Sequence, residues 1–107
     1  MTIAVIGAGA SGMMAALTAA EQPENEILLF ERQARVGRKL AVTGNGRCNL
    51  TNTGAEPEHY HGAQPDFAAP ALAAFPPEAA LDWFAAHGLM TVTEPDGRVY
   101  PLSLIHI

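Results

Sequence analysis

The order of apolar and polar positions divides the chain into a strongly patterned start, an unpatterned middle and a weakly patterned end. Thr2-Ile-Ala-Val-Ile6 is a short, continuous apolar run rich in β-branched residues that stops at Gly7. A run of that length without alternation predicts a strand buried on both faces of a parallel sheet. From Ser11 to about Gln22 strong helix formers dominate, among them Met13, Met14, Ala15, Ala16, Leu17 and Ala19, and Pro23 closes the segment. This predicts a helix, apolar on most faces. Glu26-Ile-Leu-Leu-Phe30 repeats the buried-strand pattern and ends at Glu31. Strand, helix and strand within residues 2–31 make one βαβ unit, which ordinarily takes about 30 residues. Its crossover is expected to be right-handed.

From Arg32 to about Pro65 periodicity disappears and Gly, Asn, Thr and charged residues prevail. Loops of more than about 12–15 residues are uncommon in compact domains unless they have a purpose, so this segment reads as a functional loop. Asp66 to Phe75 and Pro77 to His87 both predict helices. The second has Pro77 at its start, Ala80, Leu81, Phe84 and Ala85 at helical spacing, and Gly88 as a stop. Leu89 to Glu94 and Arg98 to Tyr100, separated by Pro95-Asp96-Gly97, predict a β-hairpin.

Composition narrows the function classes. With 107 residues the chain has room for about one modest domain. Hydrophobic residues at 49% against 16% charged exclude disorder as the main state. Six basic against eleven acidic residues leave a charge of −5, without the basic cluster that a phosphate backbone requires, so no nucleic-acid partner is expected. A lone Cys48 rules out an intramolecular disulfide and suits a reducing compartment. The apolar start has no Lys or Arg before Arg32 and is broken by Gly7, Gly9 and Gly12. It therefore reads as folded structure and not as a signal peptide. No apolar run approaches the ~18 residues of a membrane span. The expectation is a cytoplasmic protein without a membrane partner.

The chemistry begins at Gly7-Ala-Gly-Ala-Ser-Gly12, a G-x-G-x-x-G placed directly after a buried strand and opening a helix. That context converts a common pattern into a dinucleotide-binding signal. Gly7 permits the tight turn, Gly9 lets a pyrophosphate approach the backbone, and Gly12 allows close packing of helix on strand. The amides of Ala10 and Ser11 then face the phosphates at the positive end of the helix. A P-loop is excluded because no Lys-Ser/Thr follows. Glu31, at the end of the second strand, is placed to accept bonds from ribose hydroxyls and to repel a 2′-phosphate. Arg32 beside it suits a phosphate or plain exposure equally. These features fit NAD or FAD. The segment Gly37 to Asn52, with its glycines, cations and asparagines, favours a second polar ring system, since a cation near a flavin would stabilise its anionic reduced form.

Residues 3–53, with IAVIGAGASGMMAA, LLFERQARVGRKL and TGNGRCNLTN, resemble the start of the FAD-dependent flavoprotein family that includes aminoacetone oxidase-type enzymes and bile-acid dehydro-reductases. The GNGRCNLTN string is the specific part; the glycine fingerprint is shared more widely. Similarity continues through Tyr60-His-Gly62 and Asp96-Gly-Arg-Val-Tyr-Pro101. The resemblance implies an α/β fold: the first βαβ of an FAD-type, doubly wound Rossmann domain, followed by loop, helices and hairpin. It also implies non-covalent FAD, contacted by Ala10, Ser11, Glu31, Arg32, Lys39 and the turn of Thr43, Gly44 and Asn45, with Arg47 and Asn49 bracing the loop. The implied activity is flavin-mediated hydride transfer to or from a small-molecule substrate, with NAD(P)H a candidate electron donor.

Residues 1–103 are expected to be the N-terminal part of such a domain and to be inactive alone. Residues 104–107 resemble sequencing-adapter read-through and are expected to be a non-native tail. A nicotinamide-dependent dehydrogenase and a non-catalytic adenine-nucleotide module stand as alternatives. No residue is assigned a catalytic role. Cys48 is expected to be inert, and His59 and His61 lack the further ligands a metal would need.

Overall fold

In the computed structural model, which describes residues 1–102, the chain forms two compact units that divide after Gly46. The first unit begins with β1 (Thr2–Ile6), continues through α1 (Ala10–Ala19) and returns in β2 (Glu26–Phe30). The strands pair in parallel, from Thr2 opposite Glu26 to Ile6 opposite Phe30. One further ladder bond, from the Gly7 amide to the Phe30 carbonyl at 2.7 Å, carries the pairing into the glycine-rich turn. The α/β character and the parallel βαβ start read from the apolar pattern are therefore present.

Two details of this unit differ from the sequence expectation. Helix α1 ends at Ala19, ahead of Gln22, where Asn25 donates through Nδ2 to the Ala19 carbonyl at 2.9 Å and satisfies one of the terminal acceptors. The strands are also covered on one face only among the described residues. Ile3, Val5 and Ile27 are half-buried on the side of α1, whereas Ile6 is 80% exposed and Leu28, Leu29 and Phe30 are open. A single crossover helix can shield only one face of a two-stranded sheet.

The second unit is a three-stranded antiparallel sheet with two helices. Its central strand, β5 (Arg98–Pro101), lies between β3 (Thr51–Asn52) and β4 (Thr91–Thr93). Val99 is fully buried and Tyr100 nearly so, making β5 the centre of the core. Strand β3 corrects the reading of residues 32–65 as pure loop. Two residues leave no periodicity to detect, and the partner Val99 lies far along the chain.

The helix expected over Asp66–Phe75 is a 3₁₀ turn at Pro65–Ala68 leading into α2 (Ala69–Ala74). Pro70, with no N–H, is tolerated near a helix start and not in its interior, so a new helix begins around it. Helix α3 (Pro77–Ala86) forms as its pattern requires, and Trp83 stacks on His87 with ring centroids 4.0 Å apart. Among the described residues no helix is long and apolar enough to cross a membrane. Residues 104–107 lie outside the described part.

The hairpin turn supplies a direct stability test. Gly97 sits at φ +92°, and a Cβ there would strike the Oδ1 of Asn52 and come within 2.9 Å of the Thr53 Oγ1. Gly97→Ala is expected to destabilise the second unit by more than about 1 kcal/mol, since strain and collision act together. A lowered denaturation midpoint followed through Trp83 fluorescence would show it; an unchanged midpoint would contradict it.

Candidate functional site

The candidate site is built around Ala8, which is almost completely buried between two polar partners. Its N–H donates to Glu31 Oε1 at 2.8 Å, and its carbonyl accepts the Gly37 amide at 2.8 Å. The other Glu31 oxygen, Oε2, accepts the Gln33 amide at 2.7 Å. The N–H groups of Gln33 and of Ala8 stabilise the carboxylate and hold its pKa below the ordinary glutamate value of 4.5, against a smaller opposing effect of desolvation. Glu31 thus latches the end of β2 to the glycine-rich turn. Each oxygen retains acceptor capacity beyond its one bond.

The three glycines of the fingerprint have different structural duties. A Cβ on Gly12 would collide with the Gly7 carbonyl oxygen and lie 2.9 Å from its carbon, so the turn itself excludes any side chain there. Gly7, at φ +98°, occupies backbone space that L-residues rarely adopt. Gly9 is under neither constraint: its φ of −83° suits any residue, and a Cβ would meet nothing within 4 Å. Gly9 is also the N-cap of α1, which has no side-chain cap and no acidic residue in its first turn. The amides of Ala10, Ser11 and Gly12 find no acceptor among the described residues, the first helical bond being Met13 N–H to the Gly9 carbonyl at 2.9 Å. Three free donors and a helix dipole therefore converge on open space beside Gly9.

A cleft of about 640 Å³ opens at the carboxyl ends of β1 and β2, lined by Ile6, Gly7, Phe30, Glu31, Arg32 and Gln33. This is the edge at which open α/β sheets receive ligands. A second cleft of about 350 Å³, which also uses Gln33, is lined by Arg38, Lys39 and Val42. Arg38 donates to Gln33 Oε1 at 3.2 Å, while Arg32 and Lys39 are exposed and form no ion pair among the described residues. Thr43, Gly44 and Asn45 lie in the turn beyond Lys39, and the Thr43 hydroxyl donates to the Leu40 carbonyl at 2.9 Å. Their connection to the glycine-rich turn is indirect, through Ala41 N–H on the Gly37 carbonyl and Gly37 N–H on Ala8.

The remaining sequence candidates divide between structural roles and none. Arg47 pairs with Glu94 at 2.9 Å and lies over the Tyr100 ring at 3.9 Å, and Asn49 donates through Nδ2 to the Val99 carbonyl at 3.0 Å. Both therefore brace the second unit. The His59 Nδ1 is engaged by the Gly54 carbonyl at 2.8 Å. Among the described residues no group of three or more His, Cys, Asp or Glu is arranged around a metal position. Sequence reading missed Gln33 and Gly37, which act through backbone amides that any residue type could supply. The only sequence signal for either was a glycine in a polar segment.

Comparison with known proteins gives a family match over residues 1–105, to the family described as HI0933-like protein Rossmann domain. The chain is 41% identical over 102 residues to the 3-dehydro-bile acid delta(4,6)-reductase of Clostridium scindens, covering 94% of this chain and 25% of that protein. It is 39% identical over 96 residues to the ribosomal RNA dihydrouridine synthase of Escherichia coli, covering 90% of this chain and 24% of that protein. The chain spans about a quarter of the length of these curated relatives.

The Glu31 latch has a defined pH response. Its folded-state pKa is depressed, so the stabilisation is complete above 4.5 and is lost as pH falls below that value through the lower folded-state pKa. The amide proton resonances of Ala8 and Gln33 are expected to titrate together below pH 4.5 and to stay flat through neutrality. Glu31→Gln should remove both transitions. Titration of either amide near neutral pH would contradict the assignment.

Proposed function

The chain belongs to the HI0933-like Rossmann family, and on that premise we propose that residues 1–103 form part of an FAD-binding Rossmann domain in a flavoprotein oxidoreductase. The observation that carries this reading is Gly9, the fingerprint glycine that the fold does not need. A residue kept free of a side chain where its own structure leaves open space, beside three unengaged amides, suits a ligand that must touch the backbone. A pyrophosphate has the charge and the acceptors for that position.

When bound, FAD supplies a ring system that accepts and donates hydride. The chain's own residues bind and orient it. The amides of Ala10, Ser11 and Gly12 donate to phosphate oxygens, aided by about half a positive charge at the helix start. Glu31 holds the turn in place through Ala8, and the acceptor capacity left on its oxygens would take ribose hydroxyls. Ile6 and Phe30 offer an apolar floor to the adenine end of the cleft. Lys39 would supply positive charge for the cofactor's anionic groups, and the Thr43, Gly44 and Asn45 turn would offer backbone donors to its ring system.

The relatives' names divide between a bile-acid reductase and an RNA-modifying synthase. Of the two we favour hydride transfer with a small-molecule substrate and NAD(P)H as donor; within this chain, six basic against eleven acidic residues offer an RNA backbone little attraction.

Gly9→Asp tests the cofactor assignment without compromising the fold. Aspartate is among the best N-caps and should hold or raise helix stability by a few tenths of a kcal/mol relative to glycine. Its carboxylate would at the same time occupy the free amides and repel a diphosphate. In the protein carrying this chain, the variant is expected to melt at the wild-type temperature or above and to purify without flavin absorbance. Wild-type flavin content in Gly9→Asp would overturn the assignment. A colourless wild-type protein that binds NADH would point to a nicotinamide enzyme instead.

A further inference from the structure

Asparagine occurs at positions 25, 45, 49 and 52, and the structure treats one of them differently. Asn25 donates to the Ala19 carbonyl, Asn49 donates to the Thr51 and Val99 carbonyls, and Asn52 accepts the Gly54 amide at 2.8 Å. Asn45 is exposed, its side chain has no hydrogen-bond partner among the described residues, and it is the asparagine followed by glycine. Gly44, Asn45 and Gly46 occupy successive left-handed conformations, at φ values of 56°, 57° and 83°. The backbone at this asparagine is therefore held where an L-residue is strained. Around Gly46 the space is open, since a Cβ there would meet nothing within 4 Å.

We infer that Asn45–Gly46 is a site of spontaneous deamidation. The Gly46 backbone nitrogen attacks the Asn45 Cγ. A new C–N bond closes a five-membered succinimide while the Cγ–Nδ2 bond breaks, and ammonia leaves with the proton released from the Gly46 amide. Water then opens the ring at one carbonyl or the other, giving aspartate or isoaspartate. At ψ 38° the Gly46 nitrogen points away from the Asn45 side chain, so attack follows rotation about the Asn45 Cα–C bond. Glycine on each side removes the steric resistance to that rotation. Either product adds a carboxylate to the segment between Lys39 and Arg47, and isoaspartate also lengthens the backbone by one carbon.

Tryptic cleavage after Lys39 and Arg47 isolates Leu40 to Arg47, in which Asn45 is the single asparagine; Asn25 falls in the peptide ending at Arg32, and Asn49 and Asn52 in the one ending at Arg98. After incubation of the native protein at mildly alkaline pH, the amide-to-acid mass gain and labelling by an isoaspartyl methyltransferase are expected first in the Leu40 to Arg47 peptide. Asn45→Gln should abolish both, because glutamine would have to close a six-membered ring. Earlier conversion in either of the other peptides would overturn the inference. So would a Leu40 to Arg47 peptide that stays unchanged in the native protein yet converts in the urea-unfolded chain.

Discussion

The first unit depends on how the peptide at Ala8 is held. Its donor goes to the carboxylate at the end of β2 and its acceptor to the amide of Gly37, while the side chain is buried. A buried peptide group left unpaired would cost about 1–3 kcal/mol, so both bonds are conditions for the turn and not additions to it. The amides of Ala10, Ser11 and Gly12, in the first turn of α1, have no such acceptor among the described residues.

A parallel economy operates in the second unit. The Val99 carbonyl accepts both the Leu50 amide and the Asn49 Nδ2, which fastens the chain after Gly46 onto the central strand. Arg47 adds an ion pair with Glu94 and a cation–π contact with the Tyr100 ring. The most distinctive string of the sequence, Gly44 to Asn52, therefore does two kinds of work. Its start is strained turn, and its end is the brace of a small sheet.

The contrast among the fingerprint glycines separates folding from binding. Gly12 answers a collision with the Gly7 carbonyl and Gly7 answers a left-handed backbone, so neither position requires a ligand to explain it. Gly9 has no such internal cause. The free helix start beside it concentrates partial positive charge that no acidic side chain of the first turn neutralises.

Local sequence determined the βαβ start, because a run of β-branched residues, a helix-forming stretch and a second apolar run each act over a few residues and leave a period. It likewise determined α3 and the hairpin turn, and it singled out Gly7 to Gly12 and Glu31 as candidates for one site. Tertiary structure alone decided what those residues touch. That Glu31 holds the Ala8 and Gln33 amides, that Gly37 completes the clamp, and that Thr51 and Asn52 form a strand against Val99 and Arg98 all rest on backbone groups. Every residue type carries nearly the same backbone donors and acceptors, so such pairings leave no mark on composition or spacing and become definite only when distant segments meet. Pro70 was readable as a residue, but its effect of splitting a helix depended on where the following turn could begin.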